Sequence, residues 1–249
     1  MGLSIGFLGT ILGLGGGFIL VPLLLYAWKF TVPRAVGTSH FVITLNAFSG
    51  AWAYDRQRKI DYRIALSMAG TAIPAAFAAT LVVRHLSSPW FRIIFAATLV
   101  LGAIYIFKRQ EILGNEHVSP KPHAMTWAMI ASLFSGFAAG MLGVGGGIFH
   151  VPILCILLGL PIHRATATSH FILLLSSLVA ASSLALQGCV DLVVASWLGV
   201  GVIIGAQAGA RVSPYVRESA IKKAFAVAVL LAAGKMFWDG WRMLMLRAS

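Results

Sequence analysis

Along the chain, apolar runs alternate with short polar interruptions. Three runs long enough to cross a membrane lie at about 36–54, 62–83 and 90–107, and three more at about 166–186, 192–212 and 220–238. At 1.5 Å of rise per residue, helices of roughly 18 to 22 residues span a hydrocarbon core of about 30 Å. A membrane barrel would instead show alternating segments of about 10 residues, a pattern this chain lacks. The expected fold class is an all-α polytopic membrane protein. Ahead of the first run, residues 3–12 and 18–28 are apolar pieces of only half that length, separated by Gly13-Leu14-Gly15-Gly16-Gly17. Such a glycine-rich break does not hold a stable helix. The two pieces form either one spanning helix unwound at its middle or a re-entrant hairpin that enters and leaves on one side.

The same element occurs twice. Shifting the chain by 130 residues places Gly13 to Gly17 on Gly143-Val144-Gly145-Gly146-Gly147 and Val21-Pro22 on Val151-Pro152. The offset continues without a gap: Arg34-Ala35 meets Arg164-Ala165, Thr38-Ser39-His40-Phe41 meets Thr168-Ser169-His170-Phe171, and Asp61 meets Asp191. The chain is a duplicated unit. Lys108 to His123, with its Lys, Arg, Glu, Asn, Gly and Pro120 and Pro122, has the composition of a solvated linker. The expected organisation is a first transmembrane repeat at 1–107, a cytoplasmic linker at 108–126, a second repeat at 127–239 and a tail at 240–249.

Charge chooses between the two readings of the glycine element. With re-entrant hairpins each half crosses three times, and the 19 Lys and Arg divide twelve to seven between the two faces; four crossings per half divide them ten to nine. The positive-inside rule favours the first, and with it two inverted halves, each a Gly-broken re-entrant hairpin plus three transmembrane helices. The loop from Asp55 to Asp61 carries three basic residues and its equivalent from Ala185 to Asp191 carries none, as expected of loops on opposite sides.

Composition agrees with a bilayer setting: 59% hydrophobic residues, 10% charged, and a mean hydropathy of +0.89, against about 25% charged in soluble domains. The net charge of +12 sits at span ends, where it sets topology against anionic headgroups, and does not point to nucleic acid. Cys155 and Cys189 form neither a disulfide framework nor a metal spacing, and no cofactor is expected. Met1 to Leu14 lacks a basic leader and a small-residue cleavage site, so it reads as mature structure.

The polar residues inside apolar runs are the candidate chemistry. A helix starting at Phe18 or Ile148 points its positive N-terminus and unpaired N–H groups from Gly15, Gly16 and Gly17, or from Gly145, Gly146 and Gly147, toward the membrane middle. Two such breaks make an anion cradle of the kind secondary transporters use; the plainer reading is that the glycines let helices pack. Thr38, Ser39 and His40, and Thr168, Ser169 and His170, lie about two turns inside their runs. Their hydroxyls suit the oxygens of an anion and their imidazoles suit proton transfer near a pKa of about 6.5, unless they bond back to their own helices or bridge them. His150, in the first turn of the second half-helix, and Asn46 complete the candidate site. Asp61 and Asp191 read first as helix N-caps, and Arg34 and Arg164 as headgroup-facing arginines or anion attractants.

The doubled glycine motif followed by Val-Pro, the Arg-Ala-x-x-Thr-Ser segments and the Asp61 and Asp191 loops resemble the sulfite exporter TauE/SafE family over nearly the whole chain. The resemblance implies a multi-pass protein of the bacterial inner membrane that exports a small anion, sulfite or an organosulfonate. The histidine after Thr-Ser in both copies departs from the apolar residue expected in much of that family, which bears on substrate and coupling ion. Partners compatible with this reading are a small anion, the lipid bilayer and a second copy of the chain as a homodimer. Two rival functions are a passive anion channel and an intramembrane serine hydrolase built on Ala47-Phe48-Ser49-Gly50; the latter leaves both glycine elements unexplained. No ATP-binding motif is present, so an ion or substrate gradient is the expected driving force.

Overall fold

A computed structural model describes residues 1–12, 15–113, 123–212 and 219–248. Among these there are ten α-helices: α1 (Gly2–Leu12), α2 (Gly17–Tyr26), α3 (Val32–Arg56), α4 (Tyr62–Val83), α5 (Ser88–Leu113), α6 (Ala124–Leu142), α7 (Gly147–Ile156), α8 (Ile162–Leu186), α9 (Leu192–Val212) and α10 (Ser219–Ala248). Four of them, α4, α6, α8 and α9, are long and apolar enough to cross a membrane. The helix α3 matches α8 at 25 residues but carries three charged residues, Arg34, Asp55 and Arg56, where α8 carries Arg164 alone. The second hairpin differs from the pattern of the first, because α6 has 19 residues where α1 has 11. The helix α5 also runs on to Leu113, into the segment read as linker.

Small residues decide which helices touch. Gly2 and Gly6 of α1 sit against the carbonyls of Leu198 and Val202 on α9, while Ser132 and Gly136 of α6 sit against those of Met68 and Ala72 on α4. These are the same contacts displaced by the repeat, and both pairs run parallel. A Cβ at Gly136 would lie 2.5 Å from the Ala72 oxygen, so the two backbones approach as closely as only glycine permits. The first helix of each half is therefore held by the fourth helix of the other half.

The helices α3 and α8 form the centre and run antiparallel. Gly37 lies beside Leu184, Thr44 beside Ser177 and Gly50 beside His170, so residue numbers rise on one helix as they fall on the other. At their crossing Ile43, Ala47 and Leu173 are buried together. On the outside, α5 packs along α10, and Gly240 meets the Pro89 carbonyl. The exterior carries Phe48, Trp52, Phe77, Leu101, Phe134, Trp197 and Trp238, whereas the buried positions are rich in Ala, Ser and Thr. Large apolar residues outside and small or polar ones inside are the distribution a bilayer selects.

Candidate functional site

The two glycine breaks meet at the crossing of α3 and α8. A Cβ on Gly15 would point at Leu173 and Ile43, and one on Gly145 would point at the same two side chains from the other half. Gly17 abuts the Gly143 carbonyl and the Val144 Cα. Gly15 and Gly145 have φ of 78° and 75°, the left-handed region that a side chain would strain, which is why glycine turns the chain here. From this point α2 and α7 start at Gly17 and Gly147 with no side-chain cap and no acidic residue in the first turn. Their first N–H groups have no acceptor within their own helices. Both half-helices thus direct positive ends to one buried region.

The Thr-Ser-His segments divide their work. Ser39 Oγ donates to the Gly143 carbonyl at 2.6 Å, at the second glycine break, and His40 Nε2 to the Gly140 carbonyl at 3.0 Å, in the last turn of α6 just before it. Asn46 serves the first break: its Nδ2 donates to the Gly15 carbonyl at 3.2 Å, and its Oδ1 accepts from Thr10 Oγ1 at 3.1 Å. The second copy folds back on itself instead. Ser169 Oγ and His170 Nδ1 both donate to the Thr166 carbonyl, at 3.0 and 3.1 Å. His40 Nδ1 and His170 Nε2 are buried without a hydrogen-bond partner. His170 lies edge-on to Tyr54, whose ring centroid is 5.4 Å away.

Thr38 and Thr168 lie apart from this centre and from each other. Thr38 Oγ1 accepts the Asp191 N–H at 3.0 Å and Thr168 Oγ1 accepts the Asp61 N–H at 3.1 Å, which puts them at opposite ends of the antiparallel α3 and α8 pair. Asp61 and Asp191 cap α4 and α9 through the N–H groups of Ile64 and Val194. Each also pairs with an arginine of the other half: Arg34 with Asp191 at 2.6 Å, Arg164 with Asp61 at 3.3 Å. The Val194 N–H and the Arg34 guanidinium hold the Asp191 carboxyl below the usual carboxylate range. Capping was legible from an Asp preceding an apolar run; the ion pairs, which link residues far apart in sequence, were not.

His150 occupies a separate place, between α6 and α7. Its Nε2 lies 3.0 Å from the hydroxyls of both Ser132 and Ser135, and it is fully buried. Ser135 also lines an apolar cleft of about 620 Å³ formed with Leu101, Phe134, Ile148, Phe149 and Pro152. Neither serine has a polar equivalent, since the repeat offset assigns them Gly2 and Ile5, so the repeat carried no signal for them. Ser49, the hydrolase candidate, donates to the Ile203 carbonyl at 2.9 Å and receives Gln207 Nε2 at 3.2 Å; neither partner is a base. At the Asp191 end, Arg84, His85, Ser183 and Gln187 line a recess of about 380 Å³.

A helical bundle with lipid-type exterior, half-helices broken at glycines and a buried polar centre defines a multi-pass membrane protein of the transporter class. The sulfite exporter TauE/SafE profile matches residues 1–236, and the chain belongs to that family of membrane transporters. It is similar to a protein of Methanocaldococcus jannaschii named a probable membrane transporter protein, 29% identical over 184 residues, which cover 72% of this chain and 67% of the relative. It is also similar to the probable membrane transporter protein YunE of Bacillus subtilis, 25% identical over 262 residues, covering 96% of each chain. A further B. subtilis relative, the probable membrane transporter protein YdhB, is 25% identical, with 90% of this chain and 91% of the relative covered. No solved structure matches.

Proposed function

We propose that this transporter is a secondary carrier of a small anion, sulfite or an organosulfonate, exported across the bacterial inner membrane. The observation that carries the reading is the convergence of two uncapped helix N-termini on the Ile43 and Leu173 pair. Helix dipoles and N–H groups favour an anion there. No arginine shares that centre among the described residues, and Arg34 and Arg164 stand at the ends of the bundle in ion pairs. An anion held by dipoles and hydroxyls is released more readily than one paired with a fixed cation in a low-dielectric site. Gly15, Gly16, Gly17, Ser39, Asn46, Gly145, Gly146 and Gly147 would surround it. Thr38 and Thr168 stand away from it at the two ends of the α3 and α8 pair, and His40 and His170, with the more distant His150, supply proton coupling.

In this reading the repeats 1–107 and 127–239 are inverted, with the linker and the Arg56 to Lys59 loop in the cytoplasm. The antiparallel course of the equivalent helices α3 and α8 supports it, because a two-fold axis relating an antiparallel pair is perpendicular to the helices. The twelve to seven division of basic residues supports the orientation. The direct experiment is flux into proteoliposomes containing the purified chain, comparing sulfite, short organosulfonates, sulfate and carboxylates. Saturable uptake of sulfite or a sulfonate, accelerated by the same anion inside, is expected. Linear uptake would make the protein a channel, and uptake of none of these anions would overturn the substrate class.

A further inference from the structure

Each half presents an arginine and a threonine one helical turn apart, and the other half meets both with a single aspartate. Arg34 and Thr38, at i and i+4 on one face of α3, bind the Asp191 carboxylate and N–H. Arg164 and Thr168 on α8 bind those of Asp61 in the same way. Because α3 and α8 are antiparallel, one clamp closes one end of the bundle and the second closes the opposite end. The glycine breaks, Ile43 and Leu173 lie between them, and Ile43, Leu173 and Ser39 are all 0% exposed.

The clamps are built to release. The arginine side chains are 52% and 51% exposed, so water competes for each ion pair, and pairs of that kind are weak. The aspartates keep their capping bonds to Val194 and Ile64 whether or not an arginine is present. Opening a clamp therefore costs one exposed ion pair and one hydrogen bond, with the capping of α4 and α9 left in place.

We propose that these two clamps are the gates on either side of the central anion site, released one at a time as the halves rock. This inference rests on the transporter reading above. The gates are unequal. The Arg164 to Asp61 pair is longer, 3.3 Å against 2.6 Å, and its aspartate is more exposed, 27% against 14%, so the Asp61 face opens first. That face carries Arg56, Arg58 and Lys59.

The test is Ile43→Cys in a chain with Cys155→Ala and Cys189→Ser, labelled by a membrane-impermeant maleimide in vesicles of each orientation. Arg34→Gln is expected to raise labelling about fivefold from the Asp191 face only, and Arg164→Gln by a similar factor from the Asp61 face only, the response to losing one weak interaction. Arg34→Lys and Arg164→Lys, which keep the charge, should stay near the parent level. Melting temperature and elution volume report folding for each variant, and Thr38→Val and Thr168→Val provide second variants for the same two faces. Labelling that rises from the same face in both arms, or that stays flat in all folded variants, overturns the gates. The labelling needs no substrate, so face-specific labelling without anion flux overturns the anion-carrier reading alone, while saturable flux with face-independent labelling overturns the gates alone.

Discussion

Ser39 Oγ donates a 2.6 Å hydrogen bond to the Gly143 carbonyl, joining a helix of the first repeat to the glycine break of the second. Its equivalent, Ser169, bonds to the Thr166 carbonyl one turn back on its own helix. The two serines therefore differ in what their loss would cost. Ser39→Ala leaves a buried carbonyl unpaired, which costs about 1–3 kcal/mol, and loosens the site. Ser169→Ala removes only a back-bond and costs under about 0.5 kcal/mol. Thermal melting in detergent should show a clear loss for Ser39→Ala and little for Ser169→Ala, with anion flux falling in the same order.

Gly17 tests how closely the two breaks must approach. A Cβ there would lie 2.5 Å from Ile43 Cδ1 and 2.8 Å from the Val144 Cα, so the backbone has to shift. Gly17→Ala is expected to cut flux by about tenfold or more, since displacements near 1 Å at a binding centre cost that much. Gly70→Ala is the control: nothing lies within 4 Å of its Cβ position on α4. It should leave flux intact and stabilise the helix by up to about 1 kcal/mol.

His40 Nδ1 and His170 Nε2 are buried ring nitrogens without partners, each able to accept a proton. Transport of an anion that does not itself titrate in the tested range is expected to vary with pH as these nitrogens take up and release protons. Replacing His40, His150 and His170 together with Gln should flatten that profile in proteoliposomes. An unchanged profile would make all three structural.

Asp191 gives a pH dependence of stability. Its carboxyl is held low by the Val194 N–H and by Arg34, so the folded protein prefers the charged form. A depressed folded value contributes stability that is present above the ordinary carboxylate range and lost as the pH falls below about 4. Melting curves should lose part of their acid sensitivity in Asp191→Asn. Its melting temperature at neutral pH should be lower than that of the parent.

Arg58 and Gly188 are equivalent turn residues in the left-handed region, with φ of 54° and 70°. For a side-chain residue that conformation costs about 1–2 kcal/mol. Arg58→Gly is expected to raise the melting temperature. Gly188→Ala, whose added Cβ meets nothing within 4 Å, should lower it through backbone strain alone. Opposite shifts in the two variants are the outcome to look for.

Helix positions were largely readable from hydropathy because the length of an apolar run is a local property. The runs at 62–83 and 192–212 coincide with α4 and α9. The run at 36–54 fell short of α3, which extends from Val32 to Arg56, since hydropathy senses where lipid ends and backbone hydrogen bonds carry the helix past that boundary. The glycine breaks were visible for the same local reason: consecutive glycines cannot sustain a helix. The 130-residue offset was visible because duplication leaves its mark in residue identity.

Which residues meet was decided by the tertiary structure. Arg34 finds Asp191 across 157 positions, and Ser39 reaches Gly143 across 104, although each had an equally placed copy in its own half. The pairing depends on helix direction and on how far the helices rotate about each other. Rows such as Gly2 and Gly6 against Leu198 and Val202 set both, by letting particular backbones come into contact. The repeat made the two halves alike in sequence, yet Ser39 and Ser169 ended with different partners. A hydrogen bond follows the carbonyl nearest in space, and only the packed bundle determines which carbonyl that is.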